Sequence, residues 1–329
     1  PPSLSRAQTN ASSGKVLRLC SHLSGGKSAM PFDLDLTLNV LYPAANAAYL
    51  IMNGTNIGLS LPPGYTVVGQ ILADPQSAAH VMAQAPPDQQ RIPNSMVAES
   101  NIFGLVARSP DGATAIVAIR GTKTVWEWIG DFDAAPVPWF SNPSAGLVHM
   151  GFQLTYEHIC KSLRALLQGC NGVQKVFVTG HSLGGALAVL AAYDIVADIL
   201  PAVHVEVYTF AGPRAGAPEF VGKFNALVPV RYRIVNFMDA VPQVPVPPLY
   251  QHVGTATEEV LVHGGFKPLD ITYAHHLTTY LAGLQKLQQP AVAALTPIQA
   301  VDDEPAGFAY AAPPPMAAAA AAPGAPKGM

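Results

Sequence analysis

Gly180-His181-Ser182-Leu183-Gly184 is a glycine-x-serine-x-glycine pentad, and the chemistry it suits is nucleophilic acyl transfer. A serine hydroxyl is a poor nucleophile by itself. A base must take its proton, and an acid must orient the base. The pentad stands between an apolar run, KVFVT at 175–179, and an Ala/Leu-rich stretch that starts at Leu183. This strand–turn–helix setting brings a serine to the C-terminal edge of a sheet, with a helix N-terminus behind it that favours developing negative charge. The turn is sharp enough that Gly180 and Gly184 are expected to lack side chains because neighbouring backbone comes too close. The competing reading is a glycine-rich strand-to-helix turn whose serine is idle.

In this arrangement the acid and then the histidine follow the serine along the chain. Asp194 and Asp198 fall within the helix after the pentad, which leaves Asp239 and Asp270. Asp239 comes just past the run RYRIVNF, where the C-terminal end of a strand delivers residues to a site, whereas no core strand precedes Asp270. Asp239 is therefore favoured, the bland reading being a turn-capping aspartate. The oxyanion formed on acyl transfer needs two pre-aimed donors. The Leu183 N–H supplies one, and the loop after AIVAI (115–119) offers the backbone N–H of Thr122, with Gly121 letting the backbone come close. After Asp239 the histidines are His252, His263, His275 and His276, and the adjacent pair is the candidate base. Helical phase puts Leu277, Tyr280, Leu281 and Leu284 on one buried stripe, with His276 flanking it and His275 facing away. Phase does not apply in a loop entering a helix, however, so both histidines stay open on this ground.

The elements that must position these residues read as α/β. An apolar helical pattern covers Phe32–Met52, and Tyr65–Leu72 suits a strand. Asn101–Ala107 and Ala113–Arg120 flank Ser109-Pro110-Asp111-Gly112, a hairpin turn. Beyond it, strands at 115–119, 175–179, 205–210 and 231–237 alternate with helices near Gly151–Gln168, from Leu183, and at Pro218–Leu227. Short β-branched runs alternating with helices imply βαβ units and a largely parallel sheet covered on both faces. Residues 1–30 read as an extended lead-in, 31–288 as the catalytic domain, and the Ala/Pro-rich stretch 289–329 as a flexible tail.

Composition narrows the function. The chain of 329 residues is 50% hydrophobic and 12% charged with a net charge of -3, which gives no polyanion-binding signature and argues against nucleic acid as a ligand. No uninterrupted apolar run is long enough for a spanning helix. The first residue is Pro rather than Met, which implies a cut or processed start; any leader peptide would lie outside the sequence, and secretion stays open. Three cysteines, Cys20, Cys160 and Cys170, make neither a disulfide framework nor a metal motif. A Cys160–Cys170 bridge is conceivable, and free or partly buried thiols are the expected state.

Taken together, IRGT (119–122), WEWIGDF (126–132), VHMGF (148–152), TGHSLGGALA (179–188), TFAGPRAG (209–216), YRIVNFMDAVPQVP (232–245) and YQHVG (250–254) resemble the class 3, fungal-type lipases of the α/β-hydrolase superfamily. The resemblance implies an α/β-hydrolase fold with a mostly parallel central sheet, helices on both faces and a lid after the oxyanion strand. It implies Ser182 as nucleophile, Asp239 as acid, and Thr122 with Leu183 as the oxyanion hole. The family spacing H-x-L-x-x-Y fits His275 to Tyr280 without a gap, so it implies His275 as the base, with His276 the rival. The lid would cover about 123–132, with Trp126, Trp128, Ile129 and Phe132 on its apolar side. Asp131 and His149 would be supporting residues, and His252 falls in a supporting segment. The sequence departs from the family at Ala211, where glycine is more usual, and in having too few cysteines for three disulfides.

The function implied is a serine carboxylester hydrolase acting on fatty acyl esters of glycerol at an oil–water interface, a chemistry that requires no metal or cofactor. Phospholipase A1, feruloyl esterase and polyester hydrolase activities share the fold. A catalytically dead binding module would be marked by a missing triad member, and none is missing. Oligomeric state is not indicated.

Overall fold

The computed structural model describes residues 31–52, 58, 61–74, 76, 100–122, 135–268, 270 and 272–289. The chain divides into Pro1–Pro290 and Ala291–Met329, and all described residues belong to the first unit. The expected lead-in at 1–30 and nearly all of the expected tail lie outside them.

Among the described residues the main sheet has seven strands in the order β1-β2-β3-β6-β7-β8-β9: β1 (Thr66–Leu72), β2 (Ile102–Arg108), β3 (Thr114–Ile119), β6 (Lys175–His181), β7 (His204–Phe210), β8 (Val230–Asn236) and β9 (Glu259–Val262). A small ribbon pairs β4 (Val137–Pro138) with β5 (Leu147–Val148). The first three strands of the main sheet run antiparallel and every later pairing is parallel. The β2–β3 hairpin turns where expected. Gly112 takes φ 70°, and the Asp111 carboxylate accepts from the Ser109 hydroxyl and the Ala113 N–H. Strand β9 was not among the expected elements. At four residues, EVLV is too short to show a period, and its place comes from pairing with β8.

Alternation along the strands explains why both faces of the sheet are covered. Val176 and Val178 of β6 belong to one buried cluster and Phe177 to the other; in β3, Ala115, Val117 and Ile119 oppose Ile116 and Ala118. The first cluster is completed by α2 (Met150–Gln168), α3 (Leu183–Asp194) and α4 (Pro218–Leu227), through Phe152, Tyr156, Leu187, Phe220 and Phe224. The second is completed by α1 (Tyr42–Met52) and α5 (Leu277–Gln288), through Ala44, Ala48, Ile51, Tyr280 and Leu284. Each fully buried aliphatic or aromatic side chain contributes about 1.5–3 kcal/mol, so packing rather than helix propensity holds these elements. Every residue of α3 is buried, which fits a helix that is apolar all round and central to its layer.

No helix among the described residues is long and apolar enough to cross a membrane. Cys160 and Cys170 are both free thiols. Burial, aided by the neighbouring Glu157 carboxylate, pushes the Cys160 thiol up to about 12, so it is an inert packing residue.

Candidate active site

The elbow at Ser182 is built by close backbone contact. A Cβ on Gly180 would lie 2.1 Å from the Gly184 carbonyl oxygen, and one on Gly184 would lie 2.2 Å from the Ile119 carbonyl oxygen. With no side chains at either position, β6 passes directly into α3, and Ser182 sits at φ 60°, ψ -130°. A non-glycine residue held there is strained, as expected for a side chain forced outward at the top of a sheet. The Ser182 N–H donates to the Phe210 carbonyl at 3.0 Å, tying the elbow to β7. The Ser182 hydroxyl is buried and makes no hydrogen bond among the described residues. Leu183 opens α3, so its N–H has no partner inside the helix.

Asp239 and His275, far apart in the chain, meet beyond the ends of β8 and β9. His275 Nδ1 lies 2.8 Å from Asp239 Oδ2. A carboxylate only accepts, so Nδ1 carries the proton of this bond, and Nε2 is the ring nitrogen turned away from Asp239. Asp239 is held on both oxygens: Tyr280 Oη donates to Oδ2 at 2.6 Å, and the Val241 N–H donates to Oδ1 at 3.0 Å. Burial and the adjacent Asp239 raise the Tyr280 hydroxyl well above its ordinary value, so it stays a donor. Asn236 fixes the approach of the histidine. Its Nδ2 donates to the Ala274 carbonyl at 2.9 Å and to the Gly265 carbonyl at 3.2 Å, and its Oδ1 accepts from the Gly264 N–H at 3.0 Å. The His275 and His181 rings are 4.7 Å apart, which sets His275 beside the residue that precedes Ser182. His275 and Ser182 are not hydrogen-bonded to each other here; such contacts commonly tighten only when substrate is bound.

The structure separates the two histidines clearly. His275 ends a short 3-10 turn, Tyr273–His275, and is buried; His276 is exposed, with its Nε2 3.3 Å from the Thr272 hydroxyl. His276 is the N-cap of α5 at φ -62°, ψ 136°, outside helical geometry. The helical phase that set His276 beside the buried stripe therefore does not hold, because neither histidine belongs to the helix. Asp270 caps a turn, accepting from the Thr272 N–H and hydroxyl and from the Tyr273 N–H.

The loop after β3 reaches the elbow. A Cβ on Gly121 would lie 2.9 Å from Ser182 Cβ and 2.8 Å from the His181 carbonyl oxygen, so only glycine permits this approach. Thr122 follows it and is buried. Sequence reasoning missed what anchors this loop. Arg120 is fully buried, and its guanidinium donates to the carbonyls of Ile102 at 2.7 Å, Gly121 at 2.7 Å and Ser100 at 3.1 Å. A charged residue at the end of an apolar strand was the available signal, but three carbonyl partners cannot be read from RGT alone.

His149 caps the start of α2, its ring against Phe152 and Tyr250; burial lowers it to about 4, so it is neutral. His252 donates from Nε2 to the Pro242 carbonyl at 2.7 Å, bracing the segment after Asp239, and burial with Arg233 and Arg214 lowers it to about 3. His263 stacks on Phe237 at 5.5 Å. Trp126, Trp128, Ile129, Asp131 and Phe132 lie outside the described residues.

Comparison with known proteins bears on this geometry. The family described as lipase (class 3) matches residues 116–248, a span that holds Ser182, Asp239 and Thr122. Residues 116–248 are thus a class 3 lipase segment. A secreted mono- and diacylglycerol lipase of Fusarium solani is 32% identical over 183 residues, covering 53% of this chain and 51% of that protein. Phospholipase A1-II 7 of Oryza sativa subsp. indica is 30% identical over 238 residues, covering 59% and 58%. The chain thus spans little more than half the length of these curated relatives. A solved structure of Rhizomucor miehei lipase with its propeptide superposes with a TM-score of 0.51 at 25% identity, covering 69% of this chain and 67% of that one. The class 3 lipase segment ends before His275, which stands on the sequence resemblance and on its contact with Asp239.

Proposed function

We propose that this chain is a serine carboxylester hydrolase that cleaves fatty acyl esters of glycerol. The observation that carries the reading is the His275–Asp239 hydrogen bond of 2.8 Å beside a serine on a strained elbow, within a class 3 lipase segment. In this reading Ser182 Oγ attacks the ester carbonyl while His275 Nε2 takes its proton. The N–H groups of Leu183 and Thr122 receive the oxyanion. His275 then passes the proton to the leaving alcohol. Water, deprotonated by the same nitrogen, releases the fatty acid from Ser182.

Glycerol ester substrates are favoured by the Fusarium solani relative and by the apolar side chains Phe237, Met238, Val246 and Leu249, which stay exposed on the segments flanking Asp239. The rice relative supports a second reading, phospholipase A1 activity from the same triad. We assign 31–288 to the hydrolase domain and treat 123–132, with Trp126, Trp128 and Ile129, as a lid that opens on a lipid surface; secretion would be consistent with the Fusarium solani relative.

The test is hydrolysis of p-nitrophenyl esters, emulsified triolein and phosphatidylcholine by the parent and by Ser182→Ala. Turnover is expected in the parent alone. Equal rates in both would sink the serine mechanism. Activity on phosphatidylcholine exceeding that on triolein would shift the substrate class to phospholipids.

A further inference from the structure

Tyr49 of α1 lies outside the residues that match the family, yet its hydroxyl stands between two parts of the candidate site. The Gly121 N–H points at Tyr49 Oη at 3.0 Å, Tyr49 Oη lies 2.8 Å from His181 Nδ1, and His181 Nε2 lies 2.8 Å from the His275 carbonyl oxygen. The direction of every bond in this chain follows from what each atom can do. A carbonyl oxygen only accepts, so His181 Nε2 carries a proton. Burial, with His275 and His276 close by, holds the His181 pKa well below its ordinary value, so the ring is neutral and Nδ1 is an acceptor. Tyr49 must then donate its proton to Nδ1, and it uses a lone pair to receive the Gly121 N–H. The polarity runs from the Gly121 N–H to Tyr49 Oη, to the His181 ring, to the His275 carbonyl.

We infer that Tyr49 is a positioning residue for ester hydrolysis, one hydroxyl that sets the oxyanion loop, the nucleophile elbow and the base in register. The inference rests on the roles proposed above for Thr122, Ser182 and His275, each of which is next to or identical with a member of the chain. Gly121 precedes Thr122, His181 precedes Ser182, and the last acceptor is the backbone of His275 itself. Contact at Gly121 is close enough to make the link stiff, since a Cβ there would lie 2.6 Å from Tyr49 Oη. Loss of the hydroxyl would leave the Gly121 N–H and His181 Nδ1 each short of this partner. The oxyanion loop and the elbow would then be free to drift apart by a fraction of an ångström. Misplacement on that scale lowers the chemical step without altering how an acyl chain is bound.

The test is Tyr49→Phe, which removes one oxygen atom and keeps the ring. Rates on p-nitrophenyl butyrate are divided by the number of active sites, counted by the p-nitrophenolate burst with diethyl p-nitrophenyl phosphate, so unfolded molecules drop out. The expected result is a kcat roughly 10- to 100-fold lower, with KM within about twofold of the parent. A kcat within twofold of the parent per titrated site overturns the inference, as does a loss confined to KM. His181→Leu reads the same link from its other end, because an aliphatic side chain offers neither an acceptor to Tyr49 nor a donor to the His275 carbonyl. It is expected to show a kcat loss of similar size, and the double variant no more than the larger single loss. Multiplying losses in the double variant would mean two independent effects and would also overturn it. Ser182→Ala separates the premise from the inference: a dead Ser182→Ala beside a fully active Tyr49→Phe leaves the triad standing and removes Tyr49 alone.

Discussion

The elbow and the acid–base region face each other across the end of one sheet but are held by opposite means. At the elbow, position comes from atoms that are absent. Gly180 and Gly184 allow backbone contacts that no side chain would permit, and the Ser182 hydroxyl has no hydrogen bond among the described residues. In the acid–base region, position comes from atoms that are present: Asn236 on three backbone groups, and Tyr280 with the Val241 N–H on Asp239. The first region should break when an atom is added and the second when one is removed. In the proposed mechanism the serine needs a rigid turn and the histidine a fixed tautomer, and the two devices suit those two needs.

The largest expected effect tests the acid–base side directly. His275→Ala removes the group bonded to Asp239 and is expected to lower kcat by about 10⁴-fold or more. His276→Ala, on an exposed side chain, is expected to leave kcat within about threefold. Burst-titrated kcat on p-nitrophenyl butyrate checks both. A dead His276→Ala with an active His275→Ala would reassign the base and leave the elbow untouched.

Next is a pH effect shared by the two regions. His181 at the elbow and His149 at the start of α2 are buried, His252 behind Asp239 is half-buried, and all three are neutral. Burial lowers His149 to about 4 and His181 well below its ordinary value, and desolvation with Arg233 and Arg214 lowers His252 to about 3. In the unfolded chain each takes up a proton below about pH 6.5, whereas the folded chain does not. Stability is therefore complete above that pH and is lost as pH falls, by at most about 4 kcal/mol per pH unit for the three together. Urea unfolding at pH 7.5, 6 and 5 reads it. His252→Gln should reduce the slope by about one proton, and an unchanged slope would show that His252 is protonated in the folded state.

Two substitutions set the contrast itself against measurement. Gly184→Ala would press a Cβ against the Ile119 carbonyl and the Arg120 backbone, and about 3 kcal/mol of destabilisation or more is expected. Asn236→Ala would strand the buried Ala274 carbonyl and Gly264 N–H, at about 2 kcal/mol, and loosen the turn that carries His275. Urea midpoints give the energies and titrated kcat gives the activity. Should Gly184→Ala fold with full stability, the elbow is softer than its contacts imply and the distinction between the regions fails.

The same difference governs what the sequence disclosed. The elbow was legible because its steric demands fall on adjacent residues, Gly180 to Gly184, between a strand and a helix that both show their periods. The place of Asp239 just past β8 was legible from the RYRIVNF run, whereas its contact with His275 was not spelled out by any spacing. The antiparallel start of the sheet was legible from the Asp111-Gly112 turn. Arg120, Asn236 and Tyr49 were not, because their partners are backbone groups or side chains distant in sequence that no spacing encodes. The choice between His275 and His276 was open to the residues alone, since both precede the helix whose phase was used. Strand β9 was missed because a four-residue edge strand takes its identity from the neighbour it pairs with.

The smallest expected effect lies on the seam between the two regions. The Ser182 N–H bonds to the Phe210 carbonyl and the Ala211 N–H bonds to the Ile234 carbonyl at 3.1 Å, so residues 210 and 211 couple the elbow to β8. Ala211 sits at φ 54°, which gives a physical reason for the glycine more usual there in the resembling sequences. Ala211→Gly would relieve about 1 kcal/mol of left-handed strain. It would also give up a fully buried methyl, worth about 0.8 kcal/mol, and enlarge the freedom of the unfolded chain by a further 0.4–1 kcal/mol or so. The opposing effects nearly cancel, and the two losses slightly outweigh the gain. Urea unfolding of Ala211→Gly should therefore show a small loss of stability, under about 1 kcal/mol, with titrated kcat unchanged. A gain of more than about 1 kcal/mol would mean that the methyl contributes nothing to the core and that the seam carries strain, and the two regions would then have to be treated as one mechanically coupled unit.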